Sequence, residues 1–342
     1  LPRYGSVDQI IKKDGFKVDE VIYTVIEGEN PTTMAKSAGL AVIELTTIFG
    51  KLKPDIVLTI ADRYETLPIA MASTYMNIPL AHTQGGEITG SIDESVRHAT
   101  TKLAHIHFPA TKKSKKNLIK LGEDPKNVFL TGCPSIDLIK GLDLSIDQNF
   151  IKKYKDLGVG SQIDFKKKYI VVLQHPVTTE YESSLYQINQ TINAVKDLDI
   201  QVVWLWPNVD AGSDNLSGGL RTFRESKKVK KIKFFKNFEP EDYLRLINNC
   251  SCIVGNSSSA IREASYLGTP AVNIGTRQNF REHGKNVVTV TYNHHKIKKA
   301  LLKRLNIKKF KKENIFGNGN SGKKIAEILS KIKVKIQKKL NY

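Results

Sequence analysis

Short apolar runs alternate with amphipathic stretches along most of the chain, and the two patterns predict a regular succession of strands and helices. After a helix-like stretch at 7–13, strands are expected at 20–26, 56–61, 78–82, 105–109 and 127–131. Helices are expected between them at 34–50, 66–76, 93–104 and 113–121. Such alternation argues for a parallel sheet covered on both faces. From 141 to 168 the pattern weakens and charge rises, as expected of a helix and linker between domains. It then resumes with strands at 169–174, 200–206, 232–236, 251–254, 270–274 and 287–291 and helices at 183–196, 240–249 and 259–267. The tail reads as helical, most strongly at 323–339. The expected fold class is α/β, with two Rossmann-like domains at 1–150 and 151–320 and a terminal helix at 321–342. Two such domains facing one another make a cleft, the default site for a ligand.

Polar clusters stand at the ends of the apolar runs, where open α/β sheets bind ligands. Asp62-Arg63-Tyr64-Glu65 follows one run and His82-Thr83-Gln84-Gly85-Gly86-Glu87 the next. Asp62 and Arg63 read either as site residues or as an ion pair, and Glu65 suits a helix N-terminus. Ser91-Ile92-Asp93-Glu94 leads into a helix; Ser91 with Glu94 has capping-box spacing, and Asp93 also fits a helix start. Asp62, Glu87 and Asp93 at adjacent strand ends allow one protonated acid and one ionised base, set apart by environment. His98 follows within a turn, where it can orient a carboxylate or close off the core. His175-Pro176 ends the first strand of the second half, and a histidine there can donate to a phosphate. Gly255-Asn256-Ser257-Ser258-Ser259 combines a small-residue turn with free N–H groups at a helix start, a natural anion site, or alternatively ordinary capping. Glu263 lies about one turn further on, where a carboxylate can accept from two ribose hydroxyls. Arg277 and Arg281 follow the next strand and offer positive charge to the same cleft, or lie on the surface.

With 342 residues the chain exceeds what one core usually serves, and its 40% hydrophobic content is globular. No apolar run reaches the length of a membrane span, and three cysteines suit a reducing cytoplasm better than a disulfide framework. The net charge of +19 raises the question of nucleic acid, yet sixteen Lys/Arg against two Glu place fourteen of those charges at 296–342. Few aromatics interleave there and the lysines flank apolar positions at helical spacing, so the segment reads as a solvated helix face and no nucleic-acid partner is expected. Gly317-Asn318-Gly319-Asn320-Ser321-Gly322-Lys323-Lys324 has P-loop spacing but lacks the final Ser or Thr and a preceding buried strand. It reads as a glycine-rich lead-in to the last helix. His105-Ile106-His107 has no third ligand in view, so no metal is assigned. The chain opens at Leu1-Pro2 on a helix-like stretch rather than on a strand, and therefore reads as shortened at its amino end.

Taken in order, Ala61-Asp62-Arg63-Tyr64-Glu65, His82 to Glu87, Asp93-Glu94 with Arg97-His98, His175-Pro176, Gly255-Asn256-Ser257-Ser258, Glu263 and Gly275-Thr276-Arg277-Gln278 resemble the UDP-N-acetylglucosamine 2-epimerase family. The resemblance runs from Glu27-Gly28-Glu29-Asn30 to Gly317-Asn318-Gly319-Asn320, nearly the whole chain. Gly85-Gly86-Glu87 favours the hydrolysing branch, which serves the biosynthesis of sialic, legionaminic and related acids. The resemblance implies a GT-B-like fold with the final helix crossing back to the first domain, no cofactor, and a homodimer or homotetramer. It places a nucleotide sugar on the second domain, UDP-linked with GDP the next candidate. The diphosphate would meet Ser257 and Ser258, supported by Asn256, and the ribose would meet Glu263, with Arg277 nearby. Asp62 and Asp93 match family acid–base positions, and His175 matches the cleft histidine. Glu87 and Arg63 join this catalytic set as candidates, and His82 and Gln84 as substrate-binding ones. Gln84 stands where some members carry a glutamate; a glutamine cannot exchange a proton, which leaves that role to Glu87 or Asp93. Glutamine here looks closest to the legionaminic-type enzymes, whose substrate is a 2,4-diacetamido-trideoxy sugar nucleotide. The family's opening strand is missing from the sequence, so lower stability and activity are expected of the chain as it stands. The alternatives are a nonhydrolysing epimerase, a GT-B glycosyltransferase, and a non-catalytic nucleotide-sugar binding protein.

Overall fold

The computed structural model describes residues 7–28, 30–63, 65–207, 212–226, 230–339 and 341; Glu29 and Tyr64 of the motifs above lie outside these. Among them, ten strands form two sheets. The first sheet has the order β1-β2-β3, with β1 at Val57–Ile60, β2 at Leu80–Thr83 and β3 at Ile106–Phe108, all parallel. The second holds β4 (Val159–Gly160), β5 (Tyr169–Leu173), β6 (Gln201–Leu205), β7 (Ile232–Phe235), β8 (Cys252–Gly255), β9 (Ala271–Ile274) and β10 (Val287–Val290). Its order is β10-β9-β8-β5-β6-β7-β4, parallel except for the short antiparallel β4. The α/β architecture and the parallel sheets are as expected.

Both faces of the second sheet are buried, which is why its strands read as unbroken apolar runs. Val171, Val203 and Ile253 face one core with Phe150 and Leu246; Ile170, Val172 and Trp204 face the other with Ile188 and Leu220. From β5 the chain winds outward through β6 and β7, then returns to place β8 on the other side of β5 and continues to β9 and β10. The order therefore reverses between β5 and β8, and a crevice opens beyond their carboxyl ends.

Several expected elements differ. The 20–26 segment forms no strand: Val21, Tyr23 and Val25 alternate in sequence but are all exposed. It is tied instead to helix Pro31–Leu52, with Ile26 N–H donating to Ser37 Oγ at 2.9 Å and Lys51 pairing with Glu20. At 127–131 a 3-10 turn at Pro125–Asn127 leaves only Val128 bridged to His107 beside β3. The linker at 141–168 carries helix Gln148–Lys155 as well as β4. A helix not expected, Ser213–Glu225, buries Leu216, Leu220 and Phe223. The helix expected at 259–267 is broken into a 3-10 turn, Ser258–Ala260, and a short helix, Arg262–Leu267.

The last helix is shorter than expected, Ser321–Leu329. Asp137 accepts from its Ser321 and Gly322 N–H groups at 2.9 and 2.6 Å, so a carboxylate of the chain holds the turn with P-loop spacing. Ile325, Ile328 and Leu329, followed by Ile332 and Val334, pack on Ala81, Ile106 and Phe108 of the first sheet. The chain thus passes between the domains near Cys133 and again near Phe316, and Cys133 N–H donates to Phe316 O at 2.7 Å where the passages meet. Gly132 and Gly317 permit this contact, because a Cβ on Gly132 would lie 3.0 Å from the Gly317 Cα. Among the described residues no helix is long and apolar enough to cross a membrane.

Beyond that helix, Lys338 reaches the buried Glu123 carboxylate at 2.5 Å and donates to Thr101, Lys102 and Ala104 carbonyls. Lys102 also pairs with Glu123 at 3.0 Å, and His107 Nε2 lies 2.8 Å away. Lys309 likewise donates to Asn248 O and Thr269 Oγ1, so part of the basic tail serves the fold itself. Burial alone would push the Glu123 carboxyl up, but His107 and Lys338 outweigh it and hold the group at about 2. The stabilisation is therefore present above the ordinary glutamate range near 4.5 and is lost as pH falls toward 2. Glu123→Gln should remove part of the acid dependence in that window and loosen the tail, read by urea midpoints between pH 2 and 5 and by protease sensitivity beyond residue 330.

Candidate active site

The crevice at the strand-order reversal is built around one side chain. Asn256 follows β8 and is fully buried; its Oδ1 accepts from His175 N–H at 2.7 Å and its Nδ2 donates to His175 O at 2.8 Å. One amide thus ties the end of β5 to the end of β8. The Asn256 carbonyl accepts from Gln278 Nε2 at 2.9 Å and Arg277 Nη1 at 3.4 Å, bringing in the loop after β9. Gly255 allows the turn: its φ is +133°, and a Cβ there would lie 2.0 Å from Leu173 O. Ser257 and Ser259 are hydrogen-bonded to each other at 2.9 Å, and Tyr243 bonds to Ser259. Glu263 has a buried Oε2 with no partner among the described residues.

On the first domain, both strands that carry site residues end in a left-handed turn by a non-glycine residue, Ala61 at φ +61° and Gln84 at φ +61°. His82 is fully buried, and its Nε2 lies 2.7 Å from Ala61 O, fastening the turn that presents Asp62. Burial, with His107 and Arg97 nearby, lowers the His82 pKa to about 4 and keeps the ring neutral, so Nε2 carries the proton it donates. His82, expected at the substrate, is thus placed behind Asp62, with its Nε2 on the turn. Gln84 is also buried and donates to Cys133 Sγ at 3.3 Å. Arg63 turns outward to Glu65, with contacts at 3.0 and 3.1 Å.

The carboxylates converge with arginines. Arg97, fully buried, pairs with Asp62 and donates to Glu87 O at 2.7 Å. Glu87 Oε2 accepts from Arg262 at 2.7 Å and from Arg281 Nε and Nη2 at 3.0 and 2.6 Å. Asp93 accepts from Ser91 Oγ at 2.9 Å and lies 4.0 Å from Arg277. The capping box is not made: Glu94 accepts from Thr89 N–H at 2.9 Å and meets His98 at 3.3 Å. Burial would push the Glu87 and Asp62 carboxyls up, but the arginines prevail. Glu87 is held at about 2, chiefly by Arg262 and Arg281, and Asp62 lies well below the usual carboxylate range, chiefly through Arg97 and Arg281. The expected division into one protonated and one ionised carboxylate is therefore not found for this pair: both are ionised.

Arg97, Arg262 and Arg281 thus bring three guanidinium groups, buried or nearly so, to the crevice, and guanidinium groups suit the binding of an anion. The helix after the serine turn has only six residues, so the guanidinium groups carry this field more than a helix dipole does. Arg97 and Arg262 received no role from the sequence, because single arginines within helical patterns look like surface residues. The available signal was their spacing: Arg97 lies on the helix after Asp93, and Arg262 directly precedes Glu263.

Two Rossmann-like domains, with a carboxylate-bearing first half meeting a basic turn at a switch point of the second, define an α/β protein of the GT-B type. The chain belongs to the UDP-N-acetylglucosamine 2-epimerase family, whose family model matches residues 5–330. It is 33% identical to the UDP-N,N'-diacetylbacillosamine 2-epimerase (hydrolyzing) of Legionella pneumophila, over 96% of this chain and 85% of that one. It is 32% identical to the GDP/UDP-N,N'-diacetylbacillosamine 2-epimerase (hydrolyzing) of Campylobacter jejuni, over 84% of this chain and 73% of that one. Its fold superimposes on the UDP-GlcNAc 2-epimerase of Methanocaldococcus jannaschii, solved with UDP-GlcNAc and UDP, with a TM-score of 0.79 at 20% identity, covering 94% and 87% of the two chains. The expected family and its hydrolysing branch are borne out.

Removing the Asn256 amide would remove both of its bonds to the His175 backbone beside the crevice. Asn256→Ala should cost about 2 kcal/mol, two partly buried hydrogen bonds at about 1 kcal/mol each, read as a shift in urea midpoint with the slope unchanged.

Proposed function

We propose that the chain is a hydrolysing nucleotide-sugar 2-epimerase acting in the cytoplasm on a UDP-linked 2-acetamido sugar. The observation that carries this reading is the junction itself, where ionised carboxylates of one domain face an arginine-lined, serine-rich turn of the other. The diphosphate would sit at Ser257 and Ser258 beneath Arg277, and the Glu263 oxygen without a partner would take the ribose hydroxyls. Asp62 and Asp93 would exchange protons with the sugar, and His175 at the crevice would donate to the leaving diphosphate. Loss of the C2 proton and anti elimination of UDP would give a glycal, and addition of water would release the free 2-epimer. A carboxylate held by arginines is a weak base. An arriving diphosphate adds negative charge near the same arginines, and so raises the proton affinity of Asp62 at the moment it is needed. The two curated relatives described above carry the diacetylbacillosamine nucleotide in their names, which, with Gln84, favours a 2,4-diacetamido-trideoxy substrate over UDP-N-acetylglucosamine.

Proton NMR in D2O with each sugar nucleotide offered separately tests this. Free UDP and a 2-epimer deuterated at C2 are expected, formed faster from the diacetamido substrate. Epimerised sugar still attached to UDP would indicate a nonhydrolysing epimerase, and turnover only with an acceptor a glycosyltransferase. Asp62→Asn should lower kcat by roughly 10²–10⁴-fold, the usual worth of a positioned acid or base, while UDP binding by calorimetry is retained. Loss of UDP binding in parallel would reassign Asp62 to binding.

A further inference from the structure

We propose that Glu87 is the pin of a latch that holds the first domain closed on the second, a positioning residue rather than an acid or base of the reaction. Its carboxylate crosses the junction to Arg262 and Arg281 and is 3% exposed. It is fixed from behind as well, since Arg97 grips its carbonyl at 2.7 Å and Asn117 donates to the neighbouring Gly86 O at 2.8 Å. Gly86, with φ +76°, lets this loop lie against the helix Lys112–Lys120: a Cβ there would stand 2.3 Å from Ser114 O. A group that donates or removes a substrate proton must turn its carboxylate toward the substrate. Glu87 instead commits its Oε2 to two guanidinium groups of the other domain, while its buried Oε1 has no hydrogen-bond partner among the described residues.

A second contact, independent of charge, joins the same two loops. Gly90 N–H donates to Arg277 O at 3.2 Å, and a Cβ on Gly90 would lie 1.9 Å from Thr276 O. The loop from Gly85 to Gly90 therefore meets the loop after β9 at its start by an ion pair and at its end by backbone. Arg262 directly follows the turn Gly255 to Ile261, and Arg281 lies midway along the loop that runs from Gly275 to β10. Gripping these two arginines sets the turn and the loop against the first domain, so Asp62 and Asp93 come to stand across from the nucleotide turn. Glu87→Gln keeps the shape and removes the charge. Two buried guanidinium groups would then lack their counterion, and the open arrangement would gain population.

The experiment pairs small-angle scattering with calorimetric titration of UDP on the wild-type chain, Glu87→Gln, Glu87→Asp and Gly90→Ala. The latch predicts a larger radius of gyration for Glu87→Gln without nucleotide, recovered on adding UDP. It also predicts UDP affinity weaker by on the order of tenfold, because release of Arg262, Arg281 and the Arg277 loop from the first domain leaves a smaller fraction with the nucleotide turn in place. Glu87→Asp, which keeps the charge, should restore part of both. In turnover KM should rise more than kcat falls. Gly90→Ala should open the chain in the same way without altering any charge, and it carries the test if Glu87→Gln does not fold. Tighter UDP binding by Glu87→Gln would overturn the latch, since Glu87 would then be a competitor of the diphosphate for the arginines. Unchanged scattering and affinity with a collapse of kcat would also overturn it and return Glu87 to the chemistry. The proposal rests on the epimerase reading only for the choice of UDP. If the wild-type chain binds no UDP, that reading fails, while the difference in scattering still decides the latch.

Discussion

Everything in the candidate site depends on burying guanidinium groups where two domains meet. A buried cation without a counterion is among the most costly things a fold can contain, and removing one partner of a buried pair commonly costs several kcal/mol. Arg97, Arg262 and Arg281 are tolerable only because Asp62 and Glu87 are ionised beside them. The same need fixes the carboxylates of the unliganded chain: a proton on either would leave an arginine without its counterion in a low-dielectric surrounding. Charge balance, packing of the two domains and the protonation state of the site are thus one constraint seen three ways.

The second domain supplies its half of the site through backbone geometry. Asn256 bridges the crevice between β5 and β8, and its carbonyl gathers Arg277 and Gln278. Gly255 is needed because the chain must approach Leu173 O more closely than any side chain allows. The arrangement explains why a reversal in strand order makes a site: two chains diverge at the crevice, and a single amide can satisfy both.

Much of this was legible in the sequence, for an identifiable reason. Strands buried on both faces read as unbroken apolar runs, so β5, β8 and β9 were easily found, and with them the polar residues that follow. The misreadings also have causes. Val21, Tyr23 and Val25 alternate as a strand does, yet no strand of the described residues lies beside them. Helix Ser213–Glu225 was hidden by Gly218 and Gly219, which weaken the helical signal. Gly219 is there because a Cβ would come within 2.9 Å of Ile188 on the neighbouring helix. Long-range pairing was the least legible property. Nothing local marks Arg262 as the partner of Glu87, 175 positions away, nor Ala61 O as the group that His82 Nε2 meets.

The two passages of the chain between the domains lie side by side, joined by the bond from Cys133 to Phe316 and by the close approach of Gly132 to Gly317. A single tether would leave one domain free to swivel and twist about the other. A paired tether with a glycine on each strand behaves as a door hinge, stiff to torsion and compliant to bending about one line. Under the latch proposed above, opening would be a rotation through one angle, and the return path would lead the same loops back to the same partners. Such a hinge lowers the entropy of the open state, so that a small number of contacts at the far edge suffices to set how often the crevice admits solvent.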